Sequence, residues 1–436
     1  MTRNGQMTKS ESAPVDRPAN DPPTGRRRVL LWIEASRAYG RGCLLGIAGY
    51  VRSHANWRVF YFDHRLGQDV PPFFAELKVD GVIARTDNQV AADHLADLGV
   101  PVVDLRGAVV TRYGRTLDTD HLGCAELAFE HFWHRGFRSM AYCGYPAVDW
   151  SVRRREAFVA VAASRGLDVP VYMAQGSLSL HATSRNEAVG ERDDPALEEW
   201  LLSLPKPVAV LAANDVRGRQ VVTACTNVGL AVPEQVAVLG IDNDEVLCEL
   251  SDPPLSSIEP DTYRMGFQGA ALLEAFMSDP SLIEPRPVEL VAPKGVVSRQ
   301  STDVAAIEDE VVAHCLQIIR EQGGKNVSVK GLIEETATSR TTLERRFREA
   351  IGRSPKQEIN RVRLDRARRL VRDTSYPLHQ IAQMTGFSNA SRLLGAYRRH
   401  FGVTPGADRE GSSLTPGMIE DDIHGHAELD TGADAE

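Results

Sequence analysis

One stretch of this chain is written twice. Residues 345–355 read RRFREAIGRSP and residues 395–405 read GAYRRHFGVTP. In the first copy Leu343, Phe347 and Ile351 fall at i, i+4 and i+8, one face of an α-helix, and in the second Leu393, Tyr397 and Phe401 do the same. The residues ahead of each copy also match. LIEETATS (332–339) aligns with IAQMTGFS (381–388), placing small Ala337 opposite Gly386. Each copy therefore reads as helix, tight turn, helix. Pro377 suits the first turn of the earlier helix in the second copy. Between the copies EINRVRLDRARRLVRD presents Ile359, Val362, Ala367, Leu370 and Val371 as the buried side of a connecting helix. Upstream, Val304, Ile307, Val311, Cys315 and Ile318 mark a further amphipathic helix. The expectation is an all-α domain with two helix-turn-helix units.

The outer faces carry charge. Thr341, Arg345 and Arg348 lie at i, i+4 and i+7, away from the apolar stripe. A guanidinium on an exposed helix can grip guanine O6 and N7 in the major groove. Arg340, Arg346 and Arg353 suit phosphates, which fix register without reading sequence. In the second copy the same positions hold Ser391, Gly395 and Arg398, so that helix should read bases less strongly while Arg398 and Arg399 hold the backbone. Net charge is −9, yet residues 325–410 carry 18 Lys and Arg against 9 Asp and Glu. The segment after Glu410 has seven acids and no Lys or Arg. A basic block joined to an acidic body points to a local polyanion-binding module. A plain helical bundle with a solvated basic face is the simpler reading. Duplication of the basic outer face argues for duplex DNA instead, with the two units entering successive major grooves.

These segments, SRTTLERRFREAIGRSP, RLDRARRLV and IAQMTGFSNASRLLGAYRRHFGVTP, resemble the DNA-binding domain of the AraC family of transcription regulators over residues 303–410. The resemblance implies base-reading positions at Thr341, Glu344 and Arg345 in the first unit and at Asn389, Ser391 and Gly395 in the second. The expected DNA-contacting set is Arg340, Thr341, Thr342, Glu344, Arg345 and Arg348, then Asn389, Ser391, Arg392, Arg398 and Arg399. The chain departs from the family at Gly395, where a longer polar residue or Arg is common, and at Leu393, where an aromatic is common.

From Arg28 to Thr302 short apolar runs alternate with amphipathic stretches. The runs 28–34, 58–63, 80–85, 101–105, 139–145, 171–174, 208–214 and 236–242 read as strands of a buried parallel sheet. About 270 residues suggest two α/β lobes rather than one. YGRGCLLG places Gly40, Gly42 and Gly46 one residue off the dinucleotide-binding spacing; a helix starting close to the sheet explains them more simply. Polar residues gather at strand ends: Ser36, Arg37 and Tyr39; Arg85, Asp87 and Asn88; Asn214 and Asp215; Asp242, Asn243 and Asp244. Each alone is a plausible helix cap, but open α/β sheets bind ligands just beyond the carboxyl ends of their strands. Together they predict a pocket for a polyhydroxylated molecule, with Trp150 or Tyr39 stacking on its apolar face.

DGVIARTDN, LAANDVRGR, VAVLGIDNDE and LSSIEPD resemble the ligand-binding core of LacI-type repressors and periplasmic sugar-binding proteins. That resemblance implies sugar contacts at Asn214, Asp242 and Arg154, the last flanked by Arg153 and Arg155. The ligand-binding set expected is Ser36, Tyr39, Asp87, Arg154, Asn214, Asp215 and Asp242.

The expected organisation is thus a leader (1–27), a two-lobed periplasmic-binding-protein-like effector domain (28–302), an all-α AraC-type domain (303–410) and an acidic tail (411–436). The function expected is that of a sugar-controlled transcription regulator, its effector a pentose. The partners expected are operator DNA, a second copy in a homodimer and RNA polymerase. Six scattered cysteines without a C-x-x-C pair fit a reducing cytoplasm. No apolar h-region opens the chain, so neither export nor a transport role is expected. The rival reading, a sugar-converting or DNA-modifying enzyme with a DNA-targeting tail, lacks any G-x-S-x-G, H-E-x-x-H or P-loop, and none of the cysteines sits in a reactive setting; no metal or cofactor is expected.

Overall fold

The structure, a computed structural model, describes residues 25–64, 68–109, 111–146, 148–173, 194–284, 287–303 and 309–412. Most of the leader, most of the acidic tail, and Val304 and Ile307 lie outside these residues. The strands are β1 Arg27–Trp32, β2 Trp57–Phe62, β3 Gly81–Ala84, β4 Val102–Asp104, β5 Gly114–Thr119, β6 Met140–Gly144, β7 Val171–Met173, β8 Val208–Ala212, β9 Val236–Ile241, β10 Ser256–Glu259, β11 Glu289–Val291 and β12 Gly295–Val297. Helices α1 Ala38–His54, α2 Gln89–Ala96, α3 His121–His134, α4 Asp149–Ala163, α5 Pro195–Ser203, α6 Asp215–Asn227, α7 Glu245–Glu249 and α8 Thr262–Ser278 belong to the α/β part. The C-terminal helices are α9 Glu310–Glu321, α10 Val329–Glu335, α11 Arg340–Ile351, α12 Pro355–Asp373, α13 Leu378–Met384, α14 Ala390–Phe401 and α15 Pro405–Ser412.

Two compact units share the chain, Met1–Thr119 with Asp261–Val291, and Asp120–Pro260 with Ala292–Glu436. Among the described residues each contains one six-stranded sheet, in the orders β11-β5-β4-β3-β1-β2 and β12-β10-β9-β8-β6-β7. All pairings are parallel except β12 against β10. In each sheet the order reverses beside the first strand, so β1 lies between β2 and β3, and β6 between β7 and β8. Such reversals open a crevice at the carboxyl ends of the strands.

Burial on both faces explains the unbroken apolar runs. Along β1, Leu30 and Trp32 pack with Phe74, Val82 and Leu95, while Val29, Leu31 and Ile33 pack with Ile47, Met265 and Leu273. All eight strands read from sequence are present. β5, β10, β11 and β12 carry too many polar residues, or are too short, to show that pattern. Of the glycines of α1, Gly40 has the use expected, a Cβ there lying 1.8 Å from the Glu34 carbonyl oxygen just past β1, whereas Gly42 and Gly46 have another. A Cβ on Gly46 would lie 2.0 Å from the Tyr263 carbonyl oxygen, and one on Gly42 1.9 Å from Thr262 Oγ1, so it is α8, not the sheet, that these two let approach.

Within the second unit the C-terminal helices form two small cores joined by one helix. Val312, Cys315, Leu316 and Ile319 of α9 pack with Leu332, Leu343, Phe347 and Ile359. Leu364, Ala367 and Val371 pack with Ile381, Ala382, Leu393 and Tyr397. α12 thus gives Ile359 to one core and three residues to the other, which makes it the rigid link the sequence implied. The duplicated turns match in backbone: Ala337 has φ 47° and Gly386 φ 77°, both left-handed. Ser339 and Asn389 cap the recognition helices, and Gly352 and Gly402 end them in the left-handed region. Pro377 is the N-cap of α13, one residue ahead of the first-turn position expected.

Candidate DNA interface and effector site

The structure sorts the arginines of the C-terminal module into two groups. One is committed inward. Arg361 binds Glu358, Asp365 and Asp303; Arg368 and Arg372 bind Asp408; Arg363 donates to the Gly324 and Val327 carbonyls. Arg346 pairs with Asp309 at 3.5 Å and Arg353 with Glu358 at 3.1 Å, so these two, expected to face phosphates, take part in holding the fold. The other group faces out. The side chains of Arg348, Arg392, Arg398 and Arg399 are exposed, with no hydrogen-bond or ion-pair partner among the described residues. Among the described residues Arg345 and Arg340 pair with Glu349 and Glu344 one turn along, at 2.8 and 3.1 Å, and remain 61% and 73% exposed. Exposed pairs of that kind are worth only tenths of a kcal/mol, about 0.3–0.5, and give way readily to a phosphate or a base edge.

Thr341 and Ser391 are exposed on the same outer faces, and Glu344 is half-buried. Thr342 and Asn389 have structural tasks as well: Thr342 Oγ1 lies 2.8 Å from the capping Ser339 Oγ, and Asn389 Oδ1 accepts from the Arg392 amide at 2.9 Å. At Gly395 an added Cβ would meet nothing within 4 Å, so the outer face of α14 is smooth where that of α11 carries Arg345. The two outer faces thus differ: α11 carries exposed Arg345 and Arg348, and α14 carries Gly395 beside exposed Arg398 and Arg399.

Each α/β unit brings its own strand ends together. In the first unit the Arg85 guanidinium is buried, bound to Glu34 and to the Leu105 carbonyl, and lies 4.3 Å from the centre of the Tyr39 ring. Tyr39 is itself buried, its hydroxyl 2.7 Å from Thr119 Oγ1, so it belongs to the wall rather than to an open stacking face. Asp104 is fully buried and accepts from the Thr86, Arg106 and Gly107 amides and the Thr86 hydroxyl; burial still raises its pKa. Asp87 accepts from Asn88 at 2.8 Å, and Ser36 is exposed. β5, which sequence reading missed, adds the buried Asp118 and Thr119 to this end of the sheet.

In the second unit Arg154 joins the ends of β8 and β9. Its guanidinium donates to the Ala213 carbonyl at 2.6 Å and to Asp242 at 3.0 Å, and Trp150 lies 5.0 Å away. Burial alone would favour its neutral form; Asp242 outweighs this and keeps it charged. The Asp242 side chain is 22% exposed, leaving it open to an incoming hydroxyl. Asp242 and Asn243 have φ of 112° and 47°, a region costly for residues with a Cβ and concentrated at functional sites. Asn214 caps α6 through Arg217 N at 2.9 Å. Asp215 is almost fully buried, accepting from Ser257 Oγ at 2.5 Å and from the Asp244 amide at 2.7 Å. Burial, then repulsion from Asp242, drives its pKa well up, so Asp215 fixes the Asp242 turn rather than greeting a ligand. Arg217 is a residue sequence reading missed, though it stands in the quoted LAANDVRGR. It is buried between the Tyr145 and Tyr172 rings and pairs with Asp194 at 3.8 Å. Among the described residues no cluster of His, Cys, Asp and Glu is arranged to hold a metal, and no helix is long and apolar enough to cross a membrane.

The two-lobed α/β core followed by paired helix-turn-helix units is the architecture of a DNA-binding transcription regulator with a sugar-binding effector domain. Residues 28–115 match the XylR N-terminal domain, 129–302 the periplasmic binding protein-like domain and 332–411 a helix-turn-helix domain. The chain is similar to the xylose operon regulatory protein of Escherichia coli K12, 29% identical over 403 residues that cover 89% of this chain and 98% of that one. The Haemophilus influenzae protein of the same name is 28% identical over 386 residues, covering 87% and 97%. A solved structure described as the xylose-binding transcription activator xylR superposes with a TM-score of 0.72 at 28% identity, covering 89% of this chain and 99% of that one.

Proposed function

We propose that this chain is a cytoplasmic, homodimeric regulator whose grip on operator DNA is set by D-xylose, and that it acts on RNA polymerase at the promoter. The observation that carries the sugar reading is the Arg154–Asp242 pair. It places a charged donor and a half-open carboxylate at the carboxyl ends of two neighbouring strands, beside an indole face. A pentose offers the vicinal hydroxyls such a pair can bridge, and its apolar face suits Trp150. The relatives named for the xylose operon favour xylose among pentoses. In this reading Asn214 and Arg154 orient the ring and Asp242 accepts its hydroxyls. The sugar can shift DNA binding only as far as it favours one arrangement of the protein over another.

A thermal-shift screen of pentoses and hexoses tests the ligand. D-Xylose should raise the unfolding midpoint in proportion to occupancy and its epimers should do so less. Asp242→Ala should abolish that rise while leaving binding to duplex DNA intact. An equal response to every sugar, or an unchanged response in the variant, would refute the assignment.

A further inference from the structure

We propose that Arg299 is the positioning residue through which occupancy of the effector site reaches the DNA-binding helices; this rests on the sugar reading above. Its side chain stands between the strained Asp242–Asn243 turn and the linker to the module. Arg299 Nη1 donates to Asn243 Oδ1 at 3.0 Å and to the Leu255 carbonyl at 3.1 Å, and Nε pairs with Glu249 at 2.8 Å. The neighbour of its acceptor is Asp242, the carboxylate paired with Arg154. A ligand that competes with Arg154 for Asp242 acts on a turn whose backbone is already in the left-handed region, and Asn243 belongs to the same turn.

What lies after Arg299 makes the contact consequential. The next residue, Gln300, accepts from Arg369 of α12 at 3.0 and 2.9 Å with its amide in the orientation that satisfies both groups. Asp303 pairs with Arg361 of the same helix at 3.1 Å. α12 is the helix both small cores share, so a shift of the linker acts on both recognition helices together. The linker's backbone is fixed separately: Arg299 N donates to Ser256 Oγ at 2.7 Å, Ser256 Oγ donates to the Arg299 carbonyl at 2.9 Å, and Ser301 Oγ donates to the Val238 carbonyl at 2.6 Å. Replacing the Arg299 side chain therefore removes its contacts to the turn while these backbone anchors of the linker stay in place.

The test compares the full-length protein with Arg299→Ala and Glu249→Ala, measuring affinity for a DNA duplex with and without D-xylose, and xylose affinity by calorimetry. The wild type should change DNA affinity by about fivefold or more on adding sugar. Arg299→Ala should bind xylose and DNA separately as before, yet show a change of less than about twofold on combining them. Glu249→Ala removes the exposed ion pair but keeps the bond to Asn243, and should respond as the wild type does. A full response in Arg299→Ala would overturn the proposal while leaving the sugar reading in place. So would an equal loss of response in both variants, which would indicate a general effect of surface charge. A wild type that binds DNA identically with and without xylose would overturn both.

Discussion

The two helix-turn-helix units are copies in backbone and opposites in what they expose. Both begin their recognition helix on a capping side chain, both end it on a left-handed glycine, and both place a small residue in the turn. Yet α11 presents Arg345 and Arg348, and α14 presents a bare Gly395 flanked by Arg398 and Arg399. The second unit is riveted at one carboxylate. Asp408 accepts from Arg368 at 2.8 Å, from Arg372 at 2.8 Å and from the buried Tyr397 hydroxyl at 2.6 Å, tying α12, α14 and α15 into one knot. In duplicated modules the scaffold and the reading surface can thus diverge separately. One copy keeps outward Arg345 and Arg348 on its exposed face, and the other has a bare Gly395 there with Arg398 and Arg399 beside it.

Breaking the knot should have the largest effect on this contrast. Asp408→Ala strands a buried hydroxyl and two guanidinium groups, and should cost about 3 kcal/mol in urea denaturation monitored on the module. The same contacts hold the Asp408 carboxyl down to about 2 against burial, which acts the other way. Its folded pKa is below the unfolded value, so the stability it contributes is complete above about pH 4 and is lost as pH falls toward 2. Acid titration followed by circular dichroism should show a step in that window that Asp408→Asn removes.

Next comes the turn. Gly386→Ala would force a Cβ to within 2.8 Å of the Lys325 carbonyl oxygen at φ 77°, and should cost about 2 kcal/mol or more. The opposite change in the first unit, Ala337→Gly, relieves a residue already at φ 47° and should raise stability by about 0.5–1 kcal/mol. A matched pair of thermal melts checks both, and a destabilising Ala337→Gly would show that the two turns are not equivalent.

Much of this was legible in the sequence. The duplicated pattern at Leu343, Phe347, Leu393 and Tyr397 located both recognition helices, because an amphipathic repeat reports its own buried face. The buried strands were equally visible. What stayed hidden depends on contacts distant along the chain. Nothing local distinguishes Arg353, paired to a buried glutamate, from Arg348, which faces solvent; only the packed structure separates a scaffold arginine from a reading one. Asp215 and Asp242 likewise look alike at strand ends. One proves buried beneath the turn and the other open at its edge. β5 was missed because its Asp118 and Thr119 are polar residues turned inward, against the rule that identifies strands.

The most direct test of this division of labour is fluorescence anisotropy of the full chain on a duplex selected from a random pool, set against a scrambled duplex, over a range of salt. Arg345→Ala should weaken the selected duplex by about 1–3 kcal/mol and leave the scrambled one nearly unchanged; Arg398→Ala should weaken both alike and reduce the salt slope by about one. Equal losses on both duplexes for Arg345→Ala, or selective loss for Arg398→Ala, would contradict the assignment of base reading to the first unit and backbone holding to the second.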